Sequence, residues 1–216
     1  MVPMWPIAGF LTGGVMALVV YGASFILPIN IAVILALISR VVLTGGLHED
    51  GFADFCDGFG GSSTGDAEQD RERTLRIMKD SFIGTYGVLG LILYFLLYYN
   101  LITTLAGMFP VWQVACVMII VDVFSKYISS MIVYFLPYAR DVENSKNKLV
   151  YDKGSKPYLA MLLSVLTLDA PILFFLFRWM KRRINGYTGD CCGATFMIIE
   201  LYNYLILLIV CGLLNQ

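Results

Sequence analysis

The sequence predicts an all-α, polytopic transmembrane helical bundle of about six spans, with one amphipathic helix lying at the interface, and three observations carry that expectation. First, 58% of the 216 residues are hydrophobic and only 14% are charged, against roughly a quarter charged in a soluble domain. So few charges cannot cover a molecule that meets water on all sides, but they suffice if much of its outside meets lipid. Second, the mean hydropathy is +0.75. Third, several apolar runs approach or exceed the roughly 18–20 residues that cross a bilayer as helix, and lipid offers no water to backbone groups, so such runs must be helical.

The first run covers residues 6–27. No charged leader or small-residue cleavage site accompanies it, so it reads as a span and not as a signal peptide. A second, 29–43, is interrupted by Arg40 and completed by Thr44-Gly45-Gly46-Leu47. A third covers 86–108, a fourth 111–136 and a sixth 191–214. The fifth, 157–177, has 21 residues, rising about 32 Å as a helix: one crossing, far too little for two. Asp169-Ala170-Pro171 breaks it midway, so a shallow re-entrant hairpin is the alternative. The chain, 1–216, reads as a single membrane domain without a fixed-period repeat.

Three polar segments separate the spans. Residues 45–84 hold most of the acids; 138–156 holds Arg140, Lys146, Lys148, Lys153 and Lys156; 178–190 holds Arg178, Lys181, Arg182 and Arg183. Basic loops favour the cytoplasmic side, which places the first two inside and the uncharged turns at Pro28 and Pro110 outside. The third is also basic, yet a single crossing over 157–177 would put it outside. The charge rule and the span count therefore conflict there. A net charge of −1 and a pI near 5.8 give no basic footprint of nucleic-acid binding. The five cysteines, Cys56, Cys116, Cys191, Cys192 and Cys211, have no C-x-x-C spacing, and no disulfide is expected.

The chemistry concentrates in His48-Glu49-Asp50-Gly51-Phe52-Ala53-Asp54-Phe55-Cys56-Asp57-Gly58. On a helix, Asp50, Asp54 and Asp57 are spaced by four and three and share one face. Like charges there repel, and a divalent cation removes the conflict. Oxygen ligands suit magnesium or manganese, and magnesium typically takes few carboxylates plus substrate phosphates. Glu49 falls about 100° off this face. The alternative is a solvated acidic loop, against which Gly51, Ala53 and Gly58 weigh, since small residues admit a phosphate to the backbone. His48 is a candidate general base or a structural histidine.

Arg71, Arg73, Arg76, Lys79 and Asp80 interleave with Leu75, Ile77 and Met78, the pattern of an interfacial amphipathic helix. The patch reads as a positive-inside anchor or, at Lys79 and Asp80 just before the glycine-broken start of the third span at Gly84, as a cation for phosphate oxygens and a fourth metal carboxylate. Asp122 and Lys126 stand one helical turn apart inside the fourth span, as a structural ion pair or a functional one. Gly186-Tyr187-Thr188-Gly189-Asp190 precedes Gly193, Ala194 and an intramembrane Glu200; Asp190 is set to cap the last helix or to bind metal or a substrate hydroxyl.

Together these segments resemble the cobalamin synthase family, the adenosylcobinamide-GDP ribazoletransferases. The resemblance rests on Thr44-Gly45-Gly46-Leu47-His48-Glu49-Asp50-Gly51-Phe52-Ala53-Asp54-Phe55-Cys56-Asp57-Gly58, then Ile77-Met78-Lys79-Asp80-Ser81-Phe82-Ile83-Gly84-Thr85-Tyr86-Gly87, then Thr188-Gly189-Asp190 with Gly193, Ala194 and Glu200. It implies a magnesium-dependent enzyme of a prokaryotic inner membrane with its site facing the cytoplasm. Its substrates would be adenosylcobinamide-GDP and α-ribazole or its 5′-phosphate, and a homo-oligomer is compatible with it. It assigns Asp50, Asp54, Asp57 and Asp80 to metal and diphosphate, and Lys79, Gly51, Gly58, Gly84, Thr188, Gly189 and Asp190 to substrate. One aspartate or His48 would take the attacking hydroxyl's proton. The chain departs from the family in starting close to its first span, in lacking glycines after Ala139-Arg140, and in having room for one span where two are usual between Lys156 and Arg178. The last departure would put Asp190 across the membrane from Asp50. Other membrane phosphotransferases, of the CDP-alcohol type, and a cation-binding transport subunit are the competing readings.

Overall fold

A computed structural model describes residues 5–61, 64–140 and 158–214. Its order is α1 (Trp5–Ala23), α2 (Ile29–Thr44), α3 (Leu47–Gly60), α4 (Ala67–Ile77), α5 (Thr85–Met108), α6 (Val111–Ser129), α7 (Ile132–Phe135), α8 (Tyr158–Leu166), α9 (Ala170–Ile184) and α10 (Gly189–Leu214). Among the described residues there is no strand, only a bridge between Tyr138 and Tyr187. The expected all-α bundle is the observed one. Four stretches are long and apolar enough to cross a membrane: Trp5–Ala23, Thr85–Met108, Val111–Phe135 and Gly189–Leu214. Two bent helix pairs bring the number to six if each counts as one span.

Both bends differ from a straight-span reading. The second span ends at Thr44, because Gly45 and Gly46 take left-handed φ values of 64° and 71°. Two such residues in succession stop a helix, and glycine alone adopts them without strain. The amides of Gly45 and Gly46 close the end on Val41 O, and the chain turns 90° into α3. In the fifth region, α8 and α9 fold back on each other at 119°, with Leu168 at a positive φ and Pro171 in the first turn of α9. The bend is that of a broken span or a re-entrant hairpin, in place of a straight crossing. It also removes the conflict over the third basic segment: Arg71 of α4 donates to Ile184 O at 3.3 Å, and Arg183 of α9 donates to Gly61 O at 3.1 Å. Segments 45–84 and 178–190 therefore meet at one end of the bundle. Lys146, Lys148, Lys153 and Lys156 lie outside the described residues.

One core joins α1, α2, α5, α6 and α10 through Met16, Ala36, Tyr98, Met118, Phe196 and Tyr204. A second joins α3, α7, α9 and the start of α10 through Phe55, Phe59, Ile132, Met180 and Cys191. Helices α1 and α6 approach closely because Gly9 and Gly13 face them: a Cβ on Gly9 would stand 2.6 Å from Val123 Cα. This is the small-xxx-small contact of membrane helices. Phe10, Leu18, Leu93, Phe174 and Leu213 point outward and exposed, which is a cost in water and none in lipid. All five cysteines are free.

Candidate active site

Helix α3 is the centre of the site, and its packing follows from its glycines. A Cβ on Gly51 would come 3.0 Å from Asp190 Cα. Gly193 in turn lies under His48, whose carbonyl oxygen would be 3.3 Å from a Cβ there. So α3 runs directly against the first turns of α10, and the backbone of Asp190 stands against Gly51, at the same end of the bundle as Asp50. The fold-back of α8 and α9 is what permits this, and it answers the expected separation of Asp190 from Asp50. Gly58 meets the Met78 side chain, at 2.5 Å from a Cβ position. Gly51 and Gly58 thus face protein and not open space.

The three aspartates of α3 divide. Asp50 is exposed, Asp54 is half-buried and Asp57 is buried. Asp57 reaches to α5 instead of solvent: its Oδ2 accepts from Gly84 N at 2.7 Å and its Oδ1 from Gly87 N at 2.8 Å. It caps the positive end of a neighbouring helix, where a carboxylate is stabilised. Gly84 and Gly87 are required by this contact, since a Cβ on either would sit 2.5 Å from an Asp57 oxygen. The expected convergence of three carboxylates on one cation is accordingly not what the geometry gathers. Among the described residues no three histidine, cysteine, aspartate or glutamate side chains are grouped to hold an ion by themselves. The donor set does fit magnesium in its commoner form, one or two carboxylates with phosphate oxygens supplied by substrate.

Around this face, Lys79 and Asp80 are exposed, and Asp80 Oδ1 accepts from Phe82 N at 3.3 Å. Thr188 is buried and caps α10: Cys191 N donates to its Oγ1 at 3.4 Å, and that hydroxyl donates to Asp190 Oδ2 at 3.2 Å. Asp190 also faces Arg140 at 3.8 Å. Gly189 is exposed, with open space where a Cβ would stand. The His48 ring lies on Phe196 with centroids 4.8 Å apart, and its Nδ1 is buried without a hydrogen-bond partner among the described residues. The interfacial helix materialises as α4, capped by Asp66, which accepts from Glu68 N and Gln69 N. Two arginines tie it down: Arg71 donates to Ala139 O at 3.0 Å, and Arg183 donates to Thr74 Oγ1 at 3.0 Å.

Beneath the site lie two ionic networks. Arg40, fully buried, donates to both Glu200 oxygens at 3.0 and 2.9 Å, to Glu49 Oε1 at 3.2 Å and to Tyr94 OH at 2.8 Å. Tyr94 OH donates to Glu200. Arg40 therefore ties α2, the first turn of α3, α5 and α10 together across the 90° bend. The second network is the Asp122–Lys126 pair of α6. Thr12 of α1 donates to both Asp122 oxygens at 3.1 Å and accepts from Lys126 at 2.8 Å, and the ammonium sits 4.0 Å from the Phe196 ring centroid. Sequence reasoning treated Arg40 only as an interruption and set Glu49 aside as off the aspartate face. The available signal was that charges inside apolar spans must find partners.

A bundle of helices long and apolar enough to cross a membrane, four of them and up to six with the bent pairs, defines a multi-pass membrane protein. The profile of the cobalamin-5-phosphate synthase family matches residues 1–208. The chain belongs to that family, and it is a transferase. It is 39% identical over 220 residues to an adenosylcobinamide-GDP ribazoletransferase of Shewanella amazonensis (strain ATCC BAA-1098 / SB2B), covering 94% of this chain and 82% of that one. It is 37% identical to proteins of the same description from Vibrio cholerae serotype O1 (strain ATCC 39541 / Classical Ogawa 395 / O395), with 94% and 80% covered, and Leptothrix cholodnii (strain ATCC 51168 / LMG 8142 / SP-6), with 93% and 81% covered. No solved structure matches.

Proposed function

We propose that the chain is an adenosylcobinamide-GDP ribazoletransferase. The hydroxyl of α-ribazole, or of its 5′-phosphate, attacks the phosphorus attached to cobinamide. A new P–O bond forms, the bond to the GMP oxygen breaks, and GMP carries the electron pair away while the hydroxyl proton passes to a base. The products are adenosylcobalamin, or its 5′-phosphate, and GMP. The observation that supports this reading is the packing of α3 at Gly51 against the backbone of Asp190 at the start of α10, with Asp50 exposed and Asp54 half-buried on the same helix.

Phosphoryl transfer asks a protein chiefly for positioning and charge stabilisation. Asp50 and Asp54 would hold magnesium together with the substrate's diphosphate oxygens, the usual company of a magnesium ion. Magnesium, when bound, neutralises charge developing on the phosphoryl oxygens. Lys79 takes a phosphate oxygen at the rim. Asp190, oriented by Thr188 and Arg140, is placed to orient or deprotonate the attacking hydroxyl; His48 sits deeper, against Phe196, and holds the α3–α10 contact. Asp57 serves the site by fixing the start of α5. The polar end faces the cytoplasm of a bacterial inner membrane, in line with its basic segments.

The test is GMP release from adenosylcobinamide-GDP and α-ribazole by the purified protein in proteoliposomes, with magnesium and then with chelator. Chelation should stop release, and Asp50→Asn with Asp54→Asn should abolish it in protein that still inserts. Undiminished release by that double variant would overturn the reading.

A further inference from the structure

We propose that the groove between α7, α8 and α9 is a binding site for one anionic phospholipid, with its acyl chain among the apolar side chains and its phosphate on Arg178 and Lys181. The fold-back of α8 on α9 leaves a cavity of about 460 Å³ lined by Phe135, Val165, Phe174, Phe177 and the two basic residues. Phe174, Arg178 and Lys181 follow each other by four and three along α9, so one helix face runs from aromatic to cationic. Phe174 and Val165 are exposed, so the groove opens outward, to lipid.

Charge decides the occupant. Arg178 and Lys181 are exposed, and neither joins an ion pair among the described residues. Arg183, two residues further along the same helix, is by contrast taken up by Asp70, Thr74 and Gly61 on the inner side. Both cations lie in the last turns of α9, towards the polar end where Ile184 meets Arg71. A cavity that is apolar along its length and cationic at the water boundary matches an anionic diacyl lipid and not a zwitterionic one, whose own ammonium would meet the two cations.

The experiment compares lipid retention by native mass spectrometry after extraction from nanodiscs of phosphatidylcholine with and without phosphatidylglycerol. One phosphatidylglycerol should remain per chain under conditions that strip phosphatidylcholine. Arg178→Gln and Lys181→Gln should each lower retention about fivefold, whereas Arg182→Gln, which removes the same charge outside the groove, should leave it unchanged. Val165→Trp narrows the groove without touching a charge and should also lower it. Equal retention of the two lipids, equal loss in Arg182→Gln, or full retention in Val165→Trp would each overturn the proposal.

Discussion

Two sets of charged residues within this molecule have opposite fates. Below the site, Arg40, Glu49, Glu200, Asp122 and Lys126 are buried and bound to one another. At the polar end, Asp50, Lys79 and Asp80 are exposed. The buried set was assembled from α1, α2, α3, α5, α6 and α10, and no substrate is needed to complete it. Under the proposed function, the exposed set is the one that would meet the substrate's phosphates and a cation. Asp57 shows that side-chain type does not decide membership: it lies on the same helix as Asp50 and Asp54, yet its carboxylate is committed to two backbone amides. The buried charges hold the shape, and the exposed ones are those to which the proposed function gives the chemistry.

Removing one member of the buried set tests that division most severely. Arg40→Ala strands Glu200 and Glu49 without a counter-charge and should destabilise the fold by about 3–5 kcal/mol, read from thermal unfolding in detergent. Arg40→Lys should recover only part of this, because one ammonium cannot reach Glu200, Glu49 and Tyr94 together as the three guanidinium nitrogens do. Next, Asp54→Asn should lower turnover about 100- to 1000-fold, as loss of one transition-state charge contact does, with unfolding temperature little changed. A variant that unfolded instead would move Asp54 into the structural set. Asp57→Ala should cost about 1–2 kcal/mol of stability, the worth of a helix cap, and leave the magnesium concentration for half-maximal activity where it was. A shift in that concentration at unchanged stability would make Asp57 a ligand after all. The smallest effect belongs to Gly45→Ala, about 1 kcal/mol from the left-handed backbone, seen as a lowered unfolding midpoint.

The spans were legible because lipid exposure writes itself into composition: the helices at 85–108, 111–129 and 189–214 follow the apolar runs closely. The bend after Thr44 was not, since Gly45-Gly46 extends an apolar run and its positive φ values are invisible to hydropathy. Asp169-Ala170-Pro171 announced a break, but only the packing of Arg183 on α4 shows on which side the chain emerges. Within the site, spacing placed Asp50, Asp54 and Asp57 along one stretch of helix, and local periodicity says no more than that. The acceptor role of Asp57 depends on amides 27 and 30 residues away, and the pairing of Arg40 with Glu200 spans 160 residues. Such contacts belong to tertiary structure and leave no local pattern.

The lodging of α3 against α10 has a consequence for biogenesis. During synthesis α3 leaves the ribosome more than a hundred residues before Gly193 and Glu200, the positions on which His48 and Arg40 rest. Until the last helix is made, Arg40 has no Glu200 and Gly51 of α3 has nothing to pack on. The segment that carries Asp50 and Asp54 therefore settles last although it is made early. Failure of the final helix to insert would leave a membrane-embedded chain with its charged core open, the kind of intermediate that quality control recognises.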